Sequence, residues 1–456
     1  MQLDRLDAAA YAARRARLAR SFGGAALIAA GSPSPRQYAA NAWPFRAASH
    51  FLYLVGLHLP GAFLLLEDEA TLFVPTPAAD DELWHGPTPG LSALSGALGI
   101  SVRPTTELPR LLEGRSVATL PAIDAATCAE QSQLLGRPVR YGAIASDDAR
   151  LADAVIATRL VHDAEAIRGL REAAESTTAA HLAGMRATRA GVREHVVRAA
   201  MVAPFHARGH SVSYEPFVTV HGEILHSHSY DNTLREGDLL LADVGAETAG
   251  GWAGDVTRTW PVSPRFSPTQ RTMYELVLTA NRKCIEACAP GVRYRDIHVL
   301  ASRVLTRGLV DLGILRGDPE ELVADGVHAL FFPHGVGHLI GLDVHDMEDL
   351  GDRAGYAPGR TRSPQFGLSY LRLDRDLEAG MAVTIEPGLY VVPAILRDPK
   401  LTSIARDRLD RGELEKFSDV RGIRIEDDVL VTPRGNEVLT AAIPKAPAEI
   451  EASVGR

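Results

Sequence analysis

The sequence predicts an α+β protein, with a C-terminal domain of antiparallel sheet flanked by helices and a smaller α/β domain before it. Three observations carry that prediction. The chain has 456 residues, room for two or three domains with large cores. Hydrophobic residues are 46% and charged residues 23%, the balance of an ordinary globular protein. In the second half, runs of alternating apolar and polar residues are interleaved with helical stretches.

The elements follow in order. Residues 4–21 read as a helix rich in Ala and Arg, and Ala25–Ala30 as a strand before a Ser/Pro loop. Phe51–Val55, Ala62–Leu66 and Thr71–Val74 read as short strands separated by glycines and acidic turns. Residues 151–187 read as one long Ala-rich helix, with Val155, Leu160, Ile167 and Leu170 at helical spacing. The boundary falls near the start of that helix, giving domains of 1–157 and 158–456. Strands are expected at Val212–Val220, Asp238–Val244, Asp255–Val262, Met381–Tyr390 and Gly422–Thr432, with helices at 268–289 and 294–313. Residues 349–367 and 393–420 read as loops, and loops this long in a compact domain are functional or disordered.

Several function classes are excluded. With 48 basic and 57 acidic residues the net charge is −9, which disfavours an electrostatic grip on nucleic acid or anionic lipid. The longest apolar stretches, such as Gly23–Gly31, fall far short of the ~20 residues of a membrane span. Asp4, Arg5 and Asp7 stand where a signal peptide needs an apolar core. Cys128, Cys284 and Cys288 cannot form a disulfide framework, so a reduced, cytoplasmic protein is expected. There is no P-loop, no Gly-x-Ser-x-Gly elbow and no His-Glu-x-x-His. Gly335, Gly337 and Gly341 do not have the spacing of a dinucleotide loop.

Acidic residues in apolar strands are the anomaly. In Leu239–Asp243, side chains alternate faces, so Asp243 shares a face with Leu239 and Leu241. Thr248–Gly251 is a turn signal, and a hairpin through it would set Asp255 opposite Asp243. Two carboxylates in one apolar place demand a proton or a metal between them. Glu386 ends a strand whose other face is Met381, Val383 and Ile385, and Arg424 and Glu426 share a face in Gly422–Glu426. Five of the 16 histidines fall between His206 and His228, and three between His334 and His345. Four carboxylates and an imidazole suit hard or borderline divalent ions such as Mn²⁺, Co²⁺ or Zn²⁺. Two such ions roughly 3.5–4 Å apart would acidify a shared water and polarise a carbonyl, the chemistry of hydrolysis. His226, His334 and His345 would bind substrate or move protons.

The ordered set Asp243, Asp255, His338, Glu386 and Glu426 resembles the five metal ligands of the pita-bread metallopeptidases, which include methionine aminopeptidase, aminopeptidase P and prolidase. The surrounding motifs agree: Leu225-His226, Gly254-Asp-Val-Thr-Arg-Thr-Trp260, Pro333-His-Gly-Val-Gly-His338, Gly341-Leu-Asp-Val-His-Asp346, Glu386-Pro-Gly-Leu-Tyr390 and Gly422-Ile-Arg-Ile-Glu-Asp-Asp428. Pro44-Phe-Arg46, Phe51-Leu-Tyr-Leu54, Leu72-Phe-Val-Pro75 and Leu83-Trp-His-Gly-Pro87 resemble the N-terminal domain of Xaa-Pro peptidases. The resemblance implies a pita-bread catalytic domain and a metal-dependent Xaa-Pro aminopeptidase that takes peptides with proline in second position. It implies two divalent ions, with Mn²⁺ expected. Asp243 would be bidentate, Asp255 and Glu426 bridging, His338 and Glu386 completing the shells, and Glu386 the general base. His226, His334 and His345 would line the substrate site, Arg424 would support the ligands, and Trp84 would reach the substrate site from a neighbouring subunit of a homodimer or homotetramer. The Asp243-to-Asp255 separation is 12 positions, where the family usually has 11; a register shift there would turn one Asp away.

Two other readings stand beside this one. Arg372, 14 positions before Glu386, resembles the arginine with which prolidases hold a dipeptide carboxylate, so an Xaa-Pro dipeptidase is the alternative. A metal-free binding module of the same fold is the remote one.

Overall fold

The computed structural model describes residue 3 and residues 6–78 and 80–455. Asp4 and Arg5, part of the expected first helix, lie outside the described residues; that helix spans Ala8–Phe22. By contacts the chain divides into two compact units. One runs to Glu165 and includes Asp349–Ala354; the other comprises Ala166–Glu348 and the residues from Gly355 on. The anticipated boundary at 157 and 158 lies inside the helix Ser146–Arg159. Buried Arg14 holds the chain beyond that helix to the first unit, bonding Asp163 at 2.7 Å and pairing also with Glu165.

In the first unit, β1 (Ala26–Ala29), β2 (Phe63–Leu66), β3 (Thr71–Val74), β4 (Ser101–Pro104) and β5 (Ala118–Thr119) form one sheet in the order β4-β3-β2-β1-β5. β3–β4 and β1–β5 are parallel; β1–β2 and β2–β3 are antiparallel. Leu27, Phe63, Leu65 and Phe73 build its core with Leu108 and Leu112. The segment Phe51–Val55, expected as a strand, is helical as part of Ser49–Val55. All seven of those residues are buried, so no polar face betrays the helical period. Gly56 ends the helix at φ 74, and a Cβ there would lie 2.3 Å from the Tyr11 ring.

The long helix expected over 151–187 is two helices, Ser146–Arg159 and Ala164–Ala187, parted where Asp163 turns to Arg14. In the second unit, β6 (Ser211–Val212) pairs with β9 (Ala246–Glu247), and β7 (Phe217–Thr219), β8 (Leu239–Asp243) and β10 (Thr257–Pro261) form an antiparallel sheet in the order β10-β8-β7. The expected strand Val212–Val220 is thus two, β6 and β7. β11 (Ala382–Ile385), β14 (Asp427–Thr432) and β15 (Gly435–Val438) form another sheet, and β12 (Gly388–Tyr390) pairs with β13 (Gly422–Arg424). The helices Pro268–Ala287 and Tyr294–Asp311 pack on each other. The two expected loops carry short helices, among them Asp352–Gly355 and Arg411–Glu415. No helix among the described residues is long and apolar enough to cross a membrane.

Candidate metal centre

Two hairpins supply the acidic residues. In the first, Asp243 pairs with Thr257, Val244 N–H donates to Val256, and Glu247 bridges Ala253. The register is unbroken into the Thr248–Gly251 turn, so the turn alone absorbs the chain length and no Asp is rotated away. Asp255 is not opposite Asp243, as the hairpin reading expected. It lies two residues beyond Thr257 on the same face, because Thr257 takes the opposing position.

The second hairpin is interrupted. Ile385 pairs with Asp427 and Gly388 with Arg424, leaving Glu386-Pro387 against Ile425-Glu426. Pro387 has no N–H to give, so the ladder thins there to the Ile425 N–H on Pro387 O at 3.3 Å and resumes in the same register. Glu386 and Glu426 both sit in that gap. Glu426 N–H instead donates to Thr257 O at 3.0 Å, tying the two hairpins together.

His338 lies between them. Its Nε2 is 3.3 Å from Asp255 Oδ2 and 3.7 Å from Glu386 Oε1. Nδ1 donates to Leu339 O at 3.0 Å, which leaves Nε2 to face the acids. One ligand-capable atom from each of Asp255, His338 and Glu426 falls within a 4.8 Å circle, and all three residues are buried. Arg424 binds this set from behind: Nη2 donates to Asp243 Oδ2 at 2.6 Å, Nε to Thr257 Oγ1 at 2.8 Å and Nη1 to Tyr390 Oη at 2.9 Å. Thr257 Oγ1 donates on to Glu426 Oε2 at 2.8 Å. The four acids and one imidazole singled out in the sequence therefore converge, with Arg424 bonded to one acid and relayed to another.

The charge balance fits a cation. Burial, then the neighbouring acids Asp255, Glu386 and Asp243, hold Glu426 well above the usual carboxylate range. Burial lifts Glu386 to about 7 and also raises Asp255. His338 goes up to about 9: burial alone would lower it, but the Asp255 hydrogen bond and the Asp255 and Glu386 charges outweigh that. These shifts fix a pH dependence. A group with a raised native pKa stabilises the fold below its ordinary value and loses that contribution as pH climbs through the raised one. For Glu386 the window runs from 4.5 to about 7, and for His338 from 6.5 to about 9. The chelator-stripped protein is therefore expected to melt at progressively lower temperature from pH ~6 to ~9, while Mn²⁺, which must displace these protons, binds more tightly over the same span. Melting curves with EDTA and with Mn²⁺ check this; a stripped protein whose melting point is flat or rises contradicts it.

The other predicted residues are placed as follows. The His345 ring stands edge-on to His338 at 4.3 Å, and burial, then the charges of His338, Arg372 and His226, lower it to about 2. His226 stacks on Phe217 at 5.3 Å and is lowered by burial and then by Arg424. Burial lowers His334 to about 3. Its Nδ1 donates to Gly335 O at 2.7 Å and its Nε2 accepts from Tyr390 Oη at 2.8 Å, so both ring nitrogens are engaged. Arg372 Nη1 donates to Glu348 Oε2 at 2.5 Å, a half-exposed ion pair. Trp84 belongs to the first unit, where it is exposed and donates to Asp80.

Sequence reasoning missed four supports. Tyr214 Oη donates to Asp243 Oδ1. Tyr390 links Arg424 to His334. Asp428 accepts the Asp255 N–H at 3.1 Å. His181 Nε2 reaches Val244 O and Val256 O at 3.2 and 3.1 Å, clasping the first hairpin between its two aspartates. Tyr390 and Asp428 stood inside quoted motifs; His181 and Tyr214 carried no local signal.

Comparison with known proteins agrees with this architecture. The profile of metallopeptidase family M24 matches residues 168–433, and that of the aminopeptidase P N-terminal domain matches residues 11–119. A probable Xaa-Pro aminopeptidase of Emericella nidulans is 34% identical over 426 residues, covering 90% of this chain and 88% of that one. One from Ajellomyces capsulatus is 36% identical over 423 residues, covering 90% and 87%. Zinc-substituted Escherichia coli aminopeptidase P in complex with product superposes with a TM-score of 0.80 at 31% identity, covering 98% of each chain. Pseudomonas aeruginosa aminopeptidase gives 0.79 at 32% identity, again covering 98% of each. The chain belongs to metallopeptidase family M24, whose members work with divalent metal ions. Within that family it is a pita-bread metallopeptidase of the Xaa-Pro aminopeptidase type.

Proposed function

We propose that this chain hydrolyses the peptide bond between an N-terminal residue and a following proline. The observation that carries the reading is the buried cluster of Asp255, His338 and Glu426, with Glu386 beside it, in a chain of this family. Asp243, Asp255, His338, Glu386 and Glu426 would hold two divalent ions, with Mn²⁺ the expected metal; their oxygen-rich donor set and unbalanced buried charge fit it. When bound, such ions lower the pKa of a water and polarise the scissile carbonyl.

The remaining chemistry belongs to the chain. Glu386, 3.7 Å from His338 Nε2 in the buried acid cluster, takes the proton from the attacking water and passes it to the leaving proline nitrogen. His345 and His226, held neutral, donate hydrogen bonds to the carbonyl oxygen as charge builds there. His334 steadies Tyr390, which with Tyr214 and Arg424 fixes the acids. The three cysteines are free and buried, and burial pushes the Cys128 thiol up as it does Cys284 and Cys288; this accords with a reducing, cytoplasmic setting.

A panel of Ala-Pro, Ala-Pro-Ala and longer Xaa-Pro peptides with Mn²⁺ tests the reading. Cleavage of the longer peptides is expected, and turnover of none of them sinks it. Arg372→Ala separates the two peptidase types. Because Arg372 is already paired with Glu348, the substitution is expected to change rates on Ala-Pro and Ala-Pro-Ala alike and by less than about threefold, the range of an exposed pair. Selective loss of dipeptide cleavage would make Arg372 a carboxylate clamp and the protein a dipeptidase.

A further inference from the structure

We infer that Asp346 is a positioning residue that pins the turn carrying His345 against His338; the inference rests on the substrate-facing role proposed above for His345. The Asp346 backbone N–H donates to Leu339 O at 3.0 Å. That same carbonyl accepts the His338 Nδ1–H at 3.0 Å. One oxygen thus joins the imidazole facing the acids to the turn that brings His345 edge-on to it at 4.3 Å.

The buried Asp346 carboxylate closes the turn from the other side. Its Oδ1 accepts the Asp343 N–H at 3.1 Å, and the Glu348 N–H donates to His345 O at 3.3 Å. The carboxylate rests on Gly341, where an added Cβ would lie 2.7 Å from Asp346 Cγ. Gly341 is itself held, its N–H donating to Asp343 O and its carbonyl accepting from Ala253 N–H. Met347, the next residue, is buried at φ 60, a conformation a residue with a Cβ keeps only where its surroundings over-determine it. The turn is therefore a constrained unit whose central side chain is Asp346.

The test is a double-mutant cycle on the full-length, Mn²⁺-loaded enzyme with Ala-Pro-Ala, with melting curves as a check on folding. His345→Ala is expected to lower kcat/KM. Asp346→Ala is expected to lower it by about 10–100-fold, the cost of misplacing a reacting group by about 1 Å. Asp346→Asn, which keeps an acceptor for Asp343, is expected to stay within about threefold, given that one neutral hydrogen bond replaces a charge-assisted one. In the His345→Ala background, Asp346→Ala should cost no more than about twofold further. Should Asp346→Ala fail to fold, Gly341→Ala crowds the same carboxylate and is expected to act in the same direction and equally through His345. Full additivity with His345→Ala, or wild-type rates for Asp346→Ala beside a crippled His345→Ala, overturns this inference alone. A fully active His345→Ala overturns the reading of His345 as well.

Discussion

Asp255→Ala is expected to remove bound metal and peptidase activity together. Asp255 is buried, 3.3 Å from His338 Nε2, and belongs to the trio whose ligand atoms fall within 4.8 Å. Its backbone is fixed independently by Asp428, so the truncation removes donor oxygens without freeing the loop. Loss of Lewis-acid and water activation is worth several kcal/mol, and at 1.36 kcal/mol per decade that is about 10³-fold or more in kcat/KM. Metal content of the purified variant, its kcat/KM on Ala-Pro-Ala, and the melting-point rise on adding Mn²⁺ are the three measurements. Stoichiometric metal with full activity would refute the assignment of Asp255.

Arg258→Ala is expected to be the most destabilising single truncation near the site. Arg258 is fully buried and donates to Thr257 O at 3.1 Å, to Glu426 O, to Ile443 O at 3.3 Å, to Pro444 O at 3.1 Å and to Asp427 Oδ1 at 2.8 Å. Asp427 is wholly buried; burial would raise it, but Arg258 and then Lys445 hold it below the usual range, so it is a charge at neutral pH. Removing Arg258 leaves that charge with Lys445 as its only countercharge beside the Thr440 hydroxyl, and strips several carbonyls of donors. Breaking a buried pair in this way costs about 3–5 kcal/mol, roughly 10 °C in melting temperature for a unit of this size. Arg258→Lys should recover only part, because an ammonium cannot span acceptors on both sides of the strand. Calorimetry on the metal-loaded proteins measures both, and a change under about 1 kcal/mol for Arg258→Ala would contradict the argument.

Much of the site was legible before the fold was known. Asp243, Asp255, Glu386 and Glu426 stand in strand-like runs where bulky apolar residues belong, and a buried carboxylate is costly enough to be conspicuous. The first hairpin had alternating strands and a turn signal, and it formed; the second, whose arms lie on either side of residues 391–421, showed only its alternating strands in the sequence, not their pairing. What failed were readings with no polar contrast to guide them. Ser49–Val55 is buried on every side, so its period was hidden. The break at residues 160–163 depends on Arg14, far away in the chain. The exact opposition of Asp243 and Asp255 was decided by Thr257, a residue of ordinary strand character.

The amino-acid order by itself determined which side chains carry charge into apolar strands, because alternation is a local property of the extended backbone. It thereby marked the fold class and the four converging carboxylates; His338 was singled out among the histidines by the family resemblance. Only the tertiary structure decided who supports them: Thr257 bonding Glu426 across 169 positions, Arg424 bonding Asp243 across 181, and Leu339 O shared by His338 and Asp346. Such partnerships join segments whose separation in sequence bears no fixed relation to distance in space. A hydrogen bond is specified by geometry to within tenths of an ångström, and that geometry exists only once the hairpins, the helices and the turn have packed.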